Sequence, residues 1–313
     1  MITYNEIKKI YNLPLVELIH QAHDTHMNNF DPNEIQTSQL LSIKTGGCPE
    51  NCSYCPQSAH YKTTAIKEGL LSVREIKRSA MKAQEIGATR FCMGAAWREV
   101  RDGAEFNQVL EAVKEVTKLG LEACCTLGML TLHQAKRLKE AGLHAYNHNI
   151  DTSKEYYSRV ISTRGFDERM QTIQNVRNAG LKVCTGGILG LGETDKDRIS
   201  FLETLSNLLP KPESVTINSL VKIKGTPLED NEELDPSIIV RVIACSRILM
   251  PTAMIRLSAG RNDRTSLEQF LCFYAGANSI FYGEKLLTSP NPSIDDDNKM
   301  FDLFGLHSKK AYV

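Results

Sequence analysis

Neither sign of charge is in excess in this chain of 313 residues, where 37 lysines and arginines balance 37 aspartates and glutamates. Nucleic-acid-binding domains usually carry a basic surplus or stripe, so that class is set aside. No apolar run approaches the roughly 20 residues of a membrane span. The N-terminal stretch MITYNEIKKIYNLPLVELIH has no signal-peptide core. A cytoplasmic protein with no membrane and no nucleic-acid partner is therefore expected. No low-complexity block or Pro/Gly/Ser linker divides the chain. No G-x-G-x-x-G follows the first strand-like run, which argues against a doubly wound dinucleotide fold. No obvious Ser/His/Asp or paired-carboxylate constellation is present either.

What the chain does have is nine cysteines: Cys48, Cys52, Cys55, Cys92, Cys124, Cys125, Cys184, Cys245 and Cys272. The count is odd and the spacing irregular, unlike the dense framework of a secreted disulfide scaffold. In a reducing compartment such thiols ligate metal, catalyse, or fill the core.

Strand-like runs alternate with amphipathic helical stretches. The strands are expected at 39–44, 89–94, 121–127, 145–150, 181–188, 214–221, 254–259 and 278–282. Helical patterns lie between them, as at 72–86, 105–119, 131–141 and 167–179. Ser72 and Thr131 read as N-caps, and Gly87, Gly120, Gly142 and Gly180 each close a helix before the next strand. Eight strands alternating with helices predict an α/β fold, a (β/α)8 TIM-type barrel. The barrel is expected over residues 38–287. A helical extension precedes it over 1–37, and a tail over 288–313 reads as a polar loop before a short helix. In such barrels the functional residues gather at the C-terminal ends of the strands.

The first expected strand runs into G46-G-C48-P-E-N-C52-S-Y-C55-P56, with cysteines spaced C-x3-C-x2-C. A polar, Gly/Pro-rich loop cannot bury three thiols as bland core. Tetrahedral zinc usually recruits four protein ligands. An iron–sulfur cluster held by three cysteines keeps one iron open to a small molecule. The spacing, with Tyr54 just before the third cysteine, resembles the radical S-adenosylmethionine superfamily. The resemblance implies a [4Fe-4S] cluster on Cys48, Cys52 and Cys55 whose open iron binds S-adenosylmethionine.

A closer resemblance runs from about residue 38 to 293. The segments CPENCSYCPQSAHYKT, RFCMGAAWR, GLEACCTLG, YNHNIDTS, VCTGGILGLGET, INSLVKIKGTPL, IRLSAGR and GANSIFYG are each similar, in order, to the biotin synthase family. That family inserts sulfur between two unactivated carbons of dethiobiotin and carries a second, [2Fe-2S] cluster as sulfur donor. The resemblance assigns this cluster to Cys92, Cys124, Cys184 and Arg256. Taken singly, each cysteine would be read as a small buried hydrophobe. A buried arginine is harder to dismiss, and as a ligand it is chemically odd, because guanidinium is normally protonated. Strand parity selects Cys124 over its neighbour. Leu121, Ala123, Cys125 and Leu127 form an apolar face suited to the helix layer, and Glu122, Cys124 and Thr126 form the other. Cys125, Cys245 and Cys272 are expected to be core.

For the small molecules, Asn147, Asn149 and Asp151 share one parity. The resemblance implies that Asn149 and Asp151 hold the adenosyl ribose and that Asn149 also faces the dethiobiotin ureido ring, with Asn218 a second candidate. Gly186-x-Ile188-x-Gly190-x-x-Glu193 resembles the element that packs on adenine. Gly94 and Ala95 are expected to present carbonyls to the methionine ammonium, and Arg90 to lie near the second cluster or to pair with a carboxylate. The family further implies a homodimer and a reducing electron-transfer protein as partner. Two other readings stay open: another radical S-adenosylmethionine enzyme, or a non-enzymatic iron–sulfur or zinc protein.

Overall fold

A computed structural model of the chain describes residues 1–310. In chain order the elements are α1 (Tyr4–Tyr11), α2 (Leu15–Met27), β1 (Glu34–Lys44), α3 (Val73–Glu85), β2 (Arg90–Ala95), α4 (Ala104–Lys118) and β3 (Glu122–Thr126). There follow α5 (Leu132–Glu140), β4 (Ala145–Asn147), α6 (Lys154–Val160), α7 (Phe166–Asn178), β5 (Lys182–Leu189), α8 (Asp195–Ser206) and β6 (Ser214–Ser219). The last are α9 (Pro236–Leu249), β7 (Met254–Leu257), α10 (Ser266–Tyr274), β8 (Ser279–Phe281), α11 (Ile294–Phe304) and β9 (His307–Ser308).

Local chemistry sets the helix boundaries. Ser72 and Thr131 cap α3 and α5, and in each box the N3 side chain, Glu75 or Gln134, reciprocates to the cap backbone. The chain then turns back toward the sheet through Gly87, Gly120, Gly142 and Gly180, all at positive φ between 73° and 96°. A side chain there would be strained, so glycine ends four helices at the required angle.

Strands β1 to β8 are all parallel, and β1 pairs with both β8 and β2, which closes the barrel. Parity then sorts the side chains. Phe91, Met93, Ala123, Cys125, Val183, Val215 and Ile255 face the helices and belong to the large apolar core. The larger of these, Phe91, Met93, Val183, Val215 and Ile255, each contribute on the order of 1.5–3 kcal/mol. Inside the barrel, Cys92, Cys124 and Ala145 form a small separate cluster against Leu40 and Phe281. The helix–sheet layer thus carries most of the apolar burial, and the barrel interior mixes sulfur and polar groups with the few apolar side chains of this cluster.

The ends differ from the sequence expectation. Glu34–Ser38 belong to β1, because Gln36–Ser38 pair with β8 and Glu34–Ile35 pair with β9. The extension over 1–37 is therefore helical only through α2. The tail contains α11 as expected, but it also returns a two-residue strand to the sheet, too short to leave a period-2 pattern. Its last three residues, 311–313, lie outside the described residues. The expected fourth strand shortens to three residues, since the chain after Asn147 bonds to β5 in another way: His148 donates to Cys184 O, and Ile150 and Asp151 donate to Gly186 O. No helix among the described residues is long and apolar enough to cross a membrane.

Candidate active site

A cavity of about 330 Å³ opens at the C-terminal ends of the strands. Its lining includes Tyr54 and Cys55 from the cysteine loop, Cys92, Cys124 and Arg256 from the strands, and Asn147, Asn149, Asp151, Ile188 and Asn218 around the rim. Two groups that are far apart in sequence thus meet in one space.

The loop is built by short backbone bonds. Cys48 N donates to Gln57 O, Cys55 N to Cys52 O at 2.9 Å, and Ala59 N to Cys48 O at 2.7 Å. All nine cysteines are free thiols. Burial, assisted by Cys52, pushes the Cys55 thiol up to about 12, and burial pushes Cys52 up to about 11. Burial is the first cause for all three thiols, and Cys55 is raised further by Cys52 and Cys48; a bound cluster would supply the positive charge that removes the protons. Among the described residues no three Cys, His, Asp or Glu side chains converge tightly enough for a single metal ion. Tetrahedral zinc usually takes four protein ligands, whereas this loop offers three thiols, the donor type that holds iron–sulfur clusters.

The second set is assembled by register. Leu40, Cys92, Cys124 and Ala145 are successive partners across β1–β4, Asn147 pairs with Cys184, and Thr216, Arg256 and Ser279 are partners across β6–β8. Cys124 donates to Cys92, which lowers the Cys92 thiol to about 7 against burial, with Arg256 and Arg90 assisting; the same bond holds Cys124 well above the usual thiol range. Asn147 Nδ2 donates to Cys184 Sγ at 3.3 Å. Arg256 is 1 % exposed, and its recorded partners are neutral: Ser279 Oγ at 3.0 Å, Ser38 Oγ at 2.9 Å and the face of Phe281. A buried guanidinium is normally paired with a carboxylate. Here the nearest anionic chemistry is the thiol layer itself. Arg90 pairs with Glu122 at 2.7 Å, and its charge also reaches Cys124, Cys92 and Cys184.

Asp151 is held in the left-handed region at φ 65°, among the described residues the one non-glycine there. Its backbone is bonded on both sides to β5, with Asp151 N donating to Gly186 O and Ile188 N donating to Asp151 O. A Cβ on Gly187 would lie 2.4 Å from Asp151 O, so the glycine permits the approach. Asp151 Oδ2 accepts from Tyr54 O–H at 3.0 Å and from Arg169 at 2.5 Å. Asn149 Oδ1 accepts from Asn147 Nδ2 and Thr216 Oγ1, which leaves its N–H donors for a ligand. Asn218 lines the cavity and also bridges strands: it donates to Gly187 O at 2.9 Å and accepts from Ala259 N at 3.2 Å. One of its two amide N–H groups is left over for a ligand. Glu193 lies away from the cavity and closes the turn after β5, accepting from Gly190 N and Leu191 N. Gly94 has a packing reason, since a Cβ there would lie 2.5 Å from the Leu287 side chain. Ala95 lines the cavity directly.

Several lining residues escaped the sequence reading. Leu286, Leu287, Thr288 and Ser289 line the cavity within a turn stitched by a Lys285–Pro290 bridge and by Asn291 donating to Phe281 O and Gly283 O. A polar tail gave no signal for this. Arg169 did give one: it shares the buried face of α7 with Thr172, Ile173 and Val176, and a cation on an inner stripe calls for a partner. Arg164 is buried, lines the cavity, and its Nε has no hydrogen-bond partner among the described residues. His148 beside it is held neutral, well below the usual range, by burial and by Arg169 and Arg164.

Comparison with known proteins adds to this geometry. The model of the Radical SAM superfamily matches residues 42–205, and that of the Biotin and Thiamin Synthesis associated domain matches 216–307. The chain is 53% identical to biotin synthase of Flavobacterium johnsoniae over 99% of its length and 86% of that protein's. It is 56% identical to that of Nostoc punctiforme, over 96% of this chain and 91% of the relative. It is 55% identical to that of Rickettsia felis, over 97% and 98%. Among solved structures it is similar to methylornithine synthase, with a TM-score of 0.82 at 18% identity over 99% of this chain and 94% of that one. It is also similar to the [FeFe]-hydrogenase maturase HydG, with a TM-score of 0.83 at 17% identity over 98% and 72%. At those identities the structural likeness concerns the fold.

Proposed function

The chain belongs to the biotin synthase family, and from that premise we propose that it converts dethiobiotin to biotin by radical insertion of sulfur between two unactivated carbons. The observation that carries this reading is the single cavity bordered by Cys55 of the loop and by Cys92, Cys124 and Arg256 of the barrel. Cys48, Cys52 and Cys55 would hold a [4Fe-4S] cluster, and Cys92, Cys124, Cys184 and Arg256 a [2Fe-2S] cluster. When bound, the first supplies the electron that cleaves S-adenosylmethionine to a 5′-deoxyadenosyl radical, and the second supplies the inserted sulfur.

The chain's own residues bind, orient and exclude water. Asp151, braced by Arg169, accepts from the ribose hydroxyls of S-adenosylmethionine, and Tyr54 and Ile188 flank the adenosyl group. Gly94 and Ala95 leave room for the methionine end near the loop. Asn149 offers its amide donors to the ureido carbonyl of dethiobiotin, and Asn218 keeps strands β5 and β7 in register beneath it. Arg164 supplies an uncommitted positive charge beside the loop. Hydrogen-atom abstraction needs no general base, in keeping with a cavity whose His148 is made a poor proton acceptor by burial, Arg169 and Arg164. The 284–291 turn closes one side of the cavity against water. The same reading takes residues 38–287 as the catalytic barrel with 1–37 and 288–313 as flanking segments. It also takes the enzyme as a cytoplasmic homodimer reduced by an electron-transfer protein.

The test is anaerobic reconstitution with iron and sulfide, followed by dethiobiotin, S-adenosylmethionine and a low-potential reductant. About six irons per chain are expected, with biotin and 5′-deoxyadenosine both formed. Formation of 5′-deoxyadenosine without biotin would keep the superfamily and reject this substrate.

A further inference from the structure

We propose that the first turn of α8 is a junction that positions the adenosyl end of S-adenosylmethionine, and that helix α1 sets this junction through Tyr11. The inference rests on the functional reading above. The two chain segments that would hold the adenosyl group are the Asp151–Ser153 stretch after β4 and the Gly190–Gly192 turn after Ile188. Asp151 is bonded to β5, and Tyr156 O–H and Asn231 Nδ2 donate to Leu191 O and Gly190 O of the turn. Beyond those bonds, both segments are tied to α8.

The ties come from consecutive residues of that helix's first turn. Asp197 accepts from Ser153 Oγ at 3.0 Å, two residues beyond Asp151, and from Thr194 at the helix cap. Arg198 grips the turn: its Nε donates to Glu193 Oε1 at 2.8 Å and its Nη2 to Glu193 O at 3.2 Å. The Glu193 carboxylate in turn accepts from Gly190 N at 3.1 Å and from Leu191 N at 2.7 Å. Arg198 is 9 % exposed and the Glu193 side chain 2 %, so this is a buried pair and not a surface contact. The third arm of the guanidinium, Nη1, donates to Asp195 Oδ1 at 2.9 Å.

Asp195 Oδ1 also accepts from Tyr11 O–H at 2.6 Å. That bond carries the network out of the barrel. Tyr11 is 2 % exposed, and Arg241 stacks on its ring and donates to Tyr11 O and to Leu13 O. The start of α1 is anchored as well, since Asn207 accepts from Ile2 N and donates to Ile2 O. Helix α1 is thereby a fixed strut. Its hydroxyl orients Asp195, Asp195 orients Arg198, and Arg198 holds Glu193, whose carboxylate accepts from the backbone N–H groups of the turn. A planar guanidinium spans these three acceptors in a fixed fork, which an ammonium cannot reproduce. Tyr11 and Arg198 touch no substrate, so both are positioning residues.

The experiment uses the anaerobically reconstituted full chain. The dissociation constant of S-adenosylmethionine is measured by equilibrium dialysis for the parent, Tyr11→Phe, Arg198→Lys and the double variant. Thermal midpoints and the rate of 5′-deoxyadenosine formation at saturating S-adenosylmethionine are recorded alongside. Binding is expected to weaken about tenfold in Arg198→Lys and about threefold in Tyr11→Phe, with the saturated rate within about twofold of the parent. The double variant should bind like Arg198→Lys alone, because Tyr11 acts through that residue. A purely structural role would lower the midpoint and the active fraction while leaving the dissociation constant unchanged, and that result overturns the inference. Additive losses in the double variant also overturn it. If the parent itself binds no S-adenosylmethionine, the functional reading falls and takes this inference with it. A parent that binds it as tightly as both variants sinks this inference alone.

Discussion

The two cysteine sets are built on opposite principles. Cys48, Cys52 and Cys55 lie within eight residues of one loop, and short backbone bonds fold that loop on itself. Cys92, Cys124, Cys184 and Arg256 come from four strands that span most of the barrel, and only the register of a closed sheet brings them to one level. The first set can form wherever its loop forms. The second exists only if the whole barrel closes. A local site therefore tolerates change elsewhere in the fold, whereas a dispersed site reports on the fold's global geometry.

Removing a ligand from each set should separate them most sharply. Cys52→Ala is expected to abolish 5′-deoxyadenosine formation altogether. Cys184→Ala should keep that activity, lose biotin formation, and bring the iron content down from about six to about four per chain. Iron analysis and product assay on the two variants check this, and a Cys184→Ala protein with its full iron complement would remove the second set from the reading.

Next in size is the buried pair beside the three-cysteine loop. Arg169 and Asp151 are both buried and bonded at 2.5 Å. Asp151→Asn leaves the Arg169 charge without its counter-ion, which should cost about 3–5 kcal/mol. A denaturant midpoint far below the parent's is expected, together with weakened S-adenosylmethionine binding. A midpoint near the parent's would mean that Arg169 finds another anion.

A smaller effect should be confined to the dispersed set. Ser38→Ala takes from Arg256 one of its two recorded hydroxyl partners, a loss of about 1.5–3 kcal/mol for a bond to a charged group. The visible spectrum of the reconstituted [2Fe-2S] site should change while reductant-dependent 5′-deoxyadenosine formation stays at the parent level. Equal loss of both would show that the two sets are not separable.

The smallest prediction concerns a region outside both sets. His26 on α2 is fully buried, with neither ring nitrogen bonded among the described residues, and burial holds it down at about 3, with Arg247 assisting. Below about pH 6.5 the unfolded chain takes up this proton and the folded chain does not. Stability should therefore fall as pH drops from about 6.5 toward 3, by at most about 1.4 kcal/mol per pH unit from this group. Thermal midpoints of His26→Leu between pH 7 and 5 should decline less steeply than those of the parent. Parallel slopes would assign the acid sensitivity to other groups.

Much of the architecture was legible before any coordinates. The helix caps Ser72 and Thr131, the closing glycines and the strand parity that distinguishes Cys124 from Cys125 are all local, since each depends on residues within a turn or one strand period. Other features were not legible. The β9 strand pairs only two residues with β1. The 284–291 turn lines the cavity through contacts with β8 and with Gly94, far away in sequence. The backbone bonds by which Asn218 bridges its neighbours came into view only with the fold. These depend on which distant segments arrive at the same place.

The amino-acid sequence by itself determined the alternation of strand and helix, the three-cysteine loop and which face of each strand carries sulfur, because periodicity and turn chemistry act over a few residues. Tertiary structure alone decided that Arg256 has hydroxyls where a carboxylate would be expected, that Asp151 is braced by Arg169, and that one helix turn ties α1 to both segments beside the cavity. Those are pairings across tens to hundreds of residues. Burial makes each partner's identity matter, and no local pattern encodes which partner burial will supply.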